Sequence, residues 1–321
     1  TGLSAGYMSV RQAELELKAA AGEKMMLLAK GREEQLSQYL SSIKEDLSIM
    51  ASNPEIQQAY EAFSAGWLDL RNQGINPTEY LQRNYIQNNP NPAGKKDDLN
   101  YANDNSTYSL AHKRYHPWIK QFLRDRGYYD VFLFDPQGNI VYTVYKELDF
   151  ATNAMNGQWA GTDIGSIFRE AKAKLDLNHQ VFKDFKPYAP SNDVPAGFVA
   201  TPILNEDGSL KAVLAFQMPI GKINDIMKNL DGLGNSGEMH FIGQDFLMRN
   251  DSARKSESTF LKQKEDGLVV KAALEGKESI EEEIDDVGEE SVAAAAPLEF
   301  MGAKFAIMAD IQKEELLAPV R

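Results

Sequence analysis

The stretch from about residue 8 to about residue 70 constrains the fold more than any other part of the chain. Proline is absent until Pro54, and Glu, Gln, Lys, Leu, Met and Ala dominate. These residues lose little side-chain freedom in a helix and so favour it. Leu36, Leu40, Ile43, Leu47 and Met50 recur at spacings of 4, 3, 4 and 3, a heptad seam. A helix of ~45 residues would run ~70 Å at 1.5 Å per residue, longer than a single globular domain needs. Its seam can therefore lie along the sheets of its own chain, meet a partner chain, or do both. Ser52-Asn53-Pro54-Glu55 interrupts it: Asn53 can cap a new helix and Pro54 suits its first turn.

The remainder changes character twice. Residues 72–108 are rich in loop formers (Asn76-Pro77, Asn89-Pro90-Asn91-Pro92, Gly94), with helix expected near Thr78–Asn84 and His112–Arg126. From Tyr129 the pattern turns to β: Tyr129–Phe134, a turn at Asp135-Pro136-Gln137-Gly138, then Asn139–Tyr145. A helix from Asp163 to about Lys174, strands at Gln180–Lys186, Gly197–Leu204 and Leu210–Met218, and a helix at Ile220–Leu230 follow. After the Gly-rich joint Asp231–Gly237 the plan restarts. A hairpin is expected over Met239–Gly243 and Phe246–Asn250, then a helix over Leu261–Glu275. Strands come next at Ser279–Asp285, Ser291–Phe300 and Ala303–Asp310, and a helix at Ile311–Val320. Ala200-Thr201-Pro202 leading through a turn to Lys211–Phe216 echoes Ala296-Pro297-Leu298 leading to Lys304–Met308. The fold class is therefore α+β: a long N-terminal helix plus two tandem modules, each a mainly antiparallel sheet flanked by helices. The expected parts are 1–75 (stalk helix and following helix), 76–230 (a ligand-binding module) and 231–321 (a second module with an exit helix).

The ordered set Tyr129–Tyr142, Asp184–Ser191, Pro195–Ile203 and Val213–Pro219, with Ser236–Met239 and Leu247–Ser252 in the second half, resembles the tandem Cache (double PAS-like) sensor domains of bacterial chemoreceptors and sensor histidine kinases. The resemblance covers nearly the whole chain. It implies two PAS-like modules, the distal one binding a small-molecule ligand over its sheet and the membrane-proximal one relaying. It also implies a periplasmic location in a bacterial inner-membrane protein, attached through flanking membrane segments. A homodimer through the N-terminal helix is implied for the full-length receptor. The Arg-x-Trp-Tyr stretch of the amino-acid-sensing subgroup is not found ahead of the third strand, so an amino-acid ligand does not follow from the resemblance. The start on Thr1 and the stop in a helical-looking segment suggest a piece of a longer protein, and neither a signal peptide nor an apolar run of about 20 residues is present.

Composition narrows the chemistry. With 34 Lys+Arg against 47 Asp+Glu, a net charge of −13 and no basic stripe interleaved with aromatics, nucleic acid is a poor partner. Cysteine is absent, which removes disulfides, thiolate metal sites and a Cys nucleophile. His112 and His116 sit at i, i+4 as a zinc pair would, but Lys113, Arg114 and Tyr115 lie between them, so they read as core. Neither a Gly-x-Ser-x-Gly elbow nor a phosphate-binding Gly-rich loop occurs, and Asp231–Gly237 follows a helix rather than a strand, so it reads as a linker. Glu281–Asp286 lacks a calcium-loop spacing and reads as a solvated edge strand. Neither a catalytic constellation, a cofactor nor a metal is expected. The expected ligand-binding residues gather on the first sheet and its covering loops: Tyr129, Phe132, Tyr145, Trp159, Asp184, Phe185, Tyr188, Ser191 and Phe198. Pockets of this kind are mainly apolar with a few placed polar groups. Asp184 and Tyr188 would share a strand face, while Phe185 and Phe198 can equally be core. A carboxylate there favours a cationic or hydroxylated ligand. The alternative is an ectodomain that binds a partner protein and no small molecule.

Overall fold

The computed structural model describes residues 2–320. A 51-residue helix, α1 (Gly2–Ser52), is followed after one residue by α2 (Pro54–Asn72), which starts as its chemistry dictates. The Asn53 side chain accepts the Glu55 N–H at 2.7 Å and Pro54 fills the first helical position. The chain packs as two compact units. One is Ser42–Pro219. The other joins the residues of α1 up to Ser41 to those from Ile220 onward. All five seam residues are between 0 and 3 % exposed. Of the destinations open to the seam, the structure covers it within the chain.

The first unit contains α3 (Pro77–Gln82), which runs into one π-helical turn (Arg83–Gln87), and α4 (Thr107–Arg126). Its sheet is five-stranded and antiparallel, in the order β2 (Ile140–Thr143), β1 (Asp130–Phe134), β5 (Leu210–Met218), β4 (Val194–Leu204), β3 (Val181–Tyr188). The strands are nearly all buried on both faces, so the period-2 alternation separates two packed faces rather than core from solvent. Phe132, Phe134, Phe198, Ala200, Val213 and Ala215 share one face with α5 (Asp163–Lys172), which contributes Ile164, Ile167, Phe168 and Ala171. On the opposite face Phe216 stacks on Tyr128 at 4.5 Å, and the Tyr128 hydroxyl donates to Asp46 near the end of α1 at 2.6 Å. Helices α2 and α4 pack on each other and meet the hairpin through Phe63, whose ring stacks on Tyr142 at 4.5 Å.

The second unit has a four-stranded antiparallel sheet, β6 (Glu238–Ile242), β9 (Ala303–Gln312), β8 (Glu290–Phe300), β7 (Ser279–Ile284), with α6 (Gly221–Met227) before it and α8 (Lys313–Leu317) after it. One face packs Ala293, Ala295, Ala306 and Met308 under α7 (Leu268–Leu274). Three expectations change here. The second arm of the expected hairpin, 246–250, makes only isolated bridges. The Asn250 side chain takes the ladder's place, accepting Phe241 N–H at 2.9 Å and donating to the Met239 carbonyl at 3.3 Å. Helix is confined to Leu268–Leu274 rather than Leu261–Glu275, and β9 extends through Gln312 before α8 begins. Nor is the Gly-rich segment an idle linker. The Glu315 carboxylate of α8 accepts the Asn235 and Ser236 N–H groups and the Ser236 hydroxyl at 2.7–3.0 Å. The acidic β7 is the exposed edge strand expected, with Glu282 paired to Lys18 and Lys313.

Candidate ligand site

Beside the end of the β1–β2 hairpin where β1 begins and β2 ends lies a cavity of about 350 Å³. Tyr129, Tyr145, Lys146 and Glu147 wall it on one side, Ala189, Pro190 and Asn192 on another, and Ile86, Gly94 and Lys96 close it from the long loop. The hairpin supplies the first wall because Tyr129 precedes β1 and Tyr145–Leu148 follow β2. Antiparallel pairing therefore brings the two tyrosine rings to 4.8 Å. Tyr188 ends β3, and the 3₁₀ turn Ala189–Ser191 after it supplies the second.

The polar groups around this cavity form one network. Glu147 accepts the Tyr129 hydroxyl at 3.0 Å and the Ser191 hydroxyl at 2.8 Å, and Gln217 donates to Ser191 Oγ at 3.0 Å. Behind the wall, Asp149 accepts the Tyr188 hydroxyl at 2.8 Å, and Asp130 accepts the Val131, Val144 and Tyr145 N–H groups at 2.8–3.1 Å. Lys146 is 2 % exposed, with φ of 62°. Its ammonium donates to the Thr143 carbonyl and lies 4.4 Å and 4.9 Å from the ring centres of Tyr142 and Phe150. Asp130 Oδ2, Asp149 Oδ1 and Gln217 Oε1 are buried with no hydrogen-bond partner.

Burial governs protonation here. It pushes Glu147 up to about 7, with the nearby Asp149 carboxylate adding to the effect. It raises Asp149 as well, and raises Asp130 further with Asp149 as the second cause. The same loss of water pushes the Lys146 ammonium down, partly offset by Asp130. Three acids and one amine thus share a site in which full ionisation is unfavourable.

Five of the nine residues expected from sequence meet here or at its edge. Tyr129 and Tyr145 line the cavity, Ser191 and Tyr188 hold its carboxylates, and Trp159 donates to the Leu148 carbonyl at 3.2 Å. Phe132 and Phe198 lie in the core beneath, Phe198 edge-on to Tyr188 at 5.0 Å. Phe185 is buried, its ring against Gly197. Asp184 accepts the Phe185 N–H at 2.7 Å and does not reach the cavity. A register shift between Lys183 and Lys186 breaks the alternation that would put Asp184 and Tyr188 on one face. Lys146, Glu147, Asp149, Asp130 and Gln217 were not singled out from the sequence. Their signal was present: Asp130 is a carboxylate inside the apolar run Tyr129–Phe134, and two acids and a lysine cluster where a strand ends.

His112 and His116 belong to the framework. Their buried rings stack at 4.2 Å. The Asn100 carbonyl accepts from His112 Nδ1 at 2.7 Å and the Asp97 carbonyl from His116 Nε2 at 2.7 Å, which leaves His116 Nδ1 to accept the Tyr142 hydroxyl at 2.6 Å. Burial foremost keeps both imidazoles well below their usual pKa and hence neutral.

No family model and no curated protein matches the sequence. Solved structures do match. The extracellular domain of vpHK1S-Z8, described as a histidine kinase, aligns over 95 % of this chain and 96 % of its own, at 7 % identity and a TM-score of 0.58. The periplasmic sensory domain of the Campylobacter jejuni chemoreceptor Tlp1 aligns over 87 % and 99 %, at 17 % identity and a TM-score of 0.48. The ligand-binding domain of the Pseudomonas fluorescens chemoreceptor CtaA, solved with L-leucine, aligns over 87 % and 97 %, at 12 % identity and a TM-score of 0.40. No helix among the described residues is long and apolar enough to cross a membrane. With its long leading helix and two antiparallel sheets in tandem, the chain has the fold of the extracellular domain of that histidine kinase, an α+β fold of two PAS-like modules.

Proposed function

We propose that this chain is the extracytoplasmic input domain of a membrane receptor and that its first unit binds a small cationic ligand, an amine, in the 350 Å³ cavity. The observation that carries the reading is the imbalance at that cavity. Glu147 lines it beside Lys146 and Lys96, the Lys96 ammonium is held by the Asn89 carbonyl, Asp130 and Asp149 lie buried behind the wall, and the Tyr129 and Tyr145 rings line the cavity as well. An incoming ammonium compensates carboxylates that otherwise bind protons, and aromatic walls attract it further. Binding would favour one packing of the loops on the sheet and shift a two-state equilibrium. The second unit would pass that shift on through α8, whose Glu315 is gripped by the 235–236 turn.

The test is titration of the protein with ethanolamine, putrescine and agmatine, read by calorimetry. At least one binds, and Glu147→Gln weakens it by about tenfold to a hundredfold, the worth of a charged hydrogen bond. The sign of the pH dependence follows from Glu147. Below about 7 its carboxyl carries a proton that the ligand must displace, so affinity rises as pH goes from 6 to 8. In Glu147→Gln that rise flattens. Silence from all three amines, or unaltered binding by the variant, overturns the reading; silence across a wider metabolite panel favours a partner-protein ectodomain.

A homodimer through α1 needs an apolar face that its own chain leaves open. Leu3, Tyr7 and Val10, spaced 4 and 3, are 94, 69 and 46 % exposed and supply one. Sedimentation of wild type and Tyr7→Glu at matched concentrations decides it: a dimer lost in the variant supports this face, and an unchanged dimer excludes it.

A further inference from the structure

A second concavity of about 650 Å³ lies in the first unit, at the opposite end of the β1–β2 hairpin from Tyr129 and Tyr145. The end of α2 and the Gly74–Thr78 turn form one side, the hairpin turn and the loop after it the other. Its chemistry is that of side-chain amides: Asn76, Gln137, Asn139, Asn153 and Asn156 all face it. Three of them are fixed, Asn76 by capping α3, where it accepts the Glu79 N–H at 3.2 Å. Asn139 donates to Asp135 at 2.8 Å, and Asn153 donates to Asn139 at 2.8 Å while accepting the Met155 N–H at 2.7 Å. That lattice holds the hairpin turn rigidly against the loop. The side chains of Gln137 and Asn156 take up none of its bonds and stand exposed at its rim. In the α2 wall the indole N–H of Trp67, a residue only 6 % exposed, has no hydrogen-bond partner. A buried donor of this kind costs free energy until an acceptor reaches it.

Charge limits what fits. Arg71 is the one charged residue lining the concavity, and the buried carboxyl of Asp135 lies close enough to interact with it. An anion gains little from a cation already offset, and an amine meets no free carboxylate. An amide offers a donor and an acceptor side by side, the complement of a pair of hydroxyl groups, each of which also donates and accepts. Ile75, Pro77 and the Trp67 edge add an apolar floor suited to the C–H face of a sugar ring. We propose that this concavity is a second binding site, for a neutral polyhydroxylated ligand of mono- or disaccharide size. Gln137 and Asn156 take its hydroxyls, and the Trp67 edge packs against its ring. The proposal is independent of the amine site and does not need it.

The experiment uses the whole chain and four probes: glucose, galactose, mannose and N-acetylglucosamine, each to roughly 50 mM, read by saturation-transfer NMR. At least one binds with a dissociation constant of ~1 mM. The double variant Gln137→Ala/Asn156→Ala, both exposed positions, weakens it at least tenfold with an unchanged melting temperature, and Glu147→Gln leaves it intact. The proposal is overturned if none of the four sugars gives a signal, if the double variant binds like wild type, or if Glu147→Gln abolishes binding, which would place the sugar in the other cavity.

Discussion

Phe63→Ala is expected to lower the stability of the first unit by about 4 kcal/mol, the usual cost of removing a fully buried phenylalanine side chain. Phe63 is 0 % exposed and belongs to α2. Its ring stacks on Tyr142 of β2 at 4.5 Å, tilts against Tyr108 of α4 at 5.5 Å, and meets His112 and Tyr115 edge-on at 6.2 and 6.3 Å. One side chain therefore joins the helical layer to the hairpin that carries the candidate site. These neighbours are rings fixed by their own hydrogen bonds, Tyr142 to His116 and Tyr108 to the Val141 carbonyl. They cannot collapse into the space, so the cavity persists and the full cavity cost applies. All three tryptophans, Trp67, Trp118 and Trp159, lie in the first unit, so denaturation followed by tryptophan fluorescence reports on it alone. A loss below about 1 kcal/mol would mean that the helical layer is not coupled to the hairpin through this ring.

Gly66→Ala is expected to cost about 3 kcal/mol despite the better helix propensity of alanine. Gly66 lies one turn of α2 from Phe63, and a methyl group on it would meet the Tyr108 Cα at 2.5 Å and N at 2.7 Å. Those are backbone atoms within the first turn of α4, held by the Ser106 cap, whose hydroxyl accepts the Ser109 N–H at 3.0 Å. They cannot swing away as a side-chain tip could, so α4 must move as a body. Because α4 carries His112 and His116, the same variant is expected to loosen the His116–Tyr142 bond. Hydrogen exchange should rise across Tyr108–His116. A melting temperature within two or three degrees of wild type would sink the prediction.

Much of the architecture was legible in local sequence. The helix break at Asn53-Pro54 followed from cap chemistry, the first hairpin from its Asp-Pro-Gln-Gly turn, and most strands from their apolar, β-branched runs, because each signal acts over a few residues. The second hairpin arm failed for the converse reason. Its residues have strand propensity, but Asn250 satisfies the β6 backbone from the side, which no propensity records.

The candidate site was legible only in part. Tyr129, Tyr145, Tyr188 and Ser191 announced themselves as polar or amphipathic groups in apolar segments. Asp184 looked equivalent to Tyr188 because alternation was assumed through a strand that contains a register shift. Glu147 and Asp149 are hard to single out because a charged residue after a strand looks the same whether it faces water or a cavity, whereas Asp130, a carboxylate inside an apolar run, does carry a signal of burial.

What the sequence determined by itself is therefore the long leading helix and the two sheet-bearing halves, through periodicity, caps and turns. What only the tertiary structure decided is where the helix seam goes and which charges are buried. The seam of Leu36–Met50 could have met another chain, but it is covered within this one. Lys146, Glu147 and Asp149 acquire their shifted protonation only because pairing of β1 with β2 and the turn after β3 exclude water around them. Desolvation is a property of everything packed around a group, and residues far apart in sequence supply it.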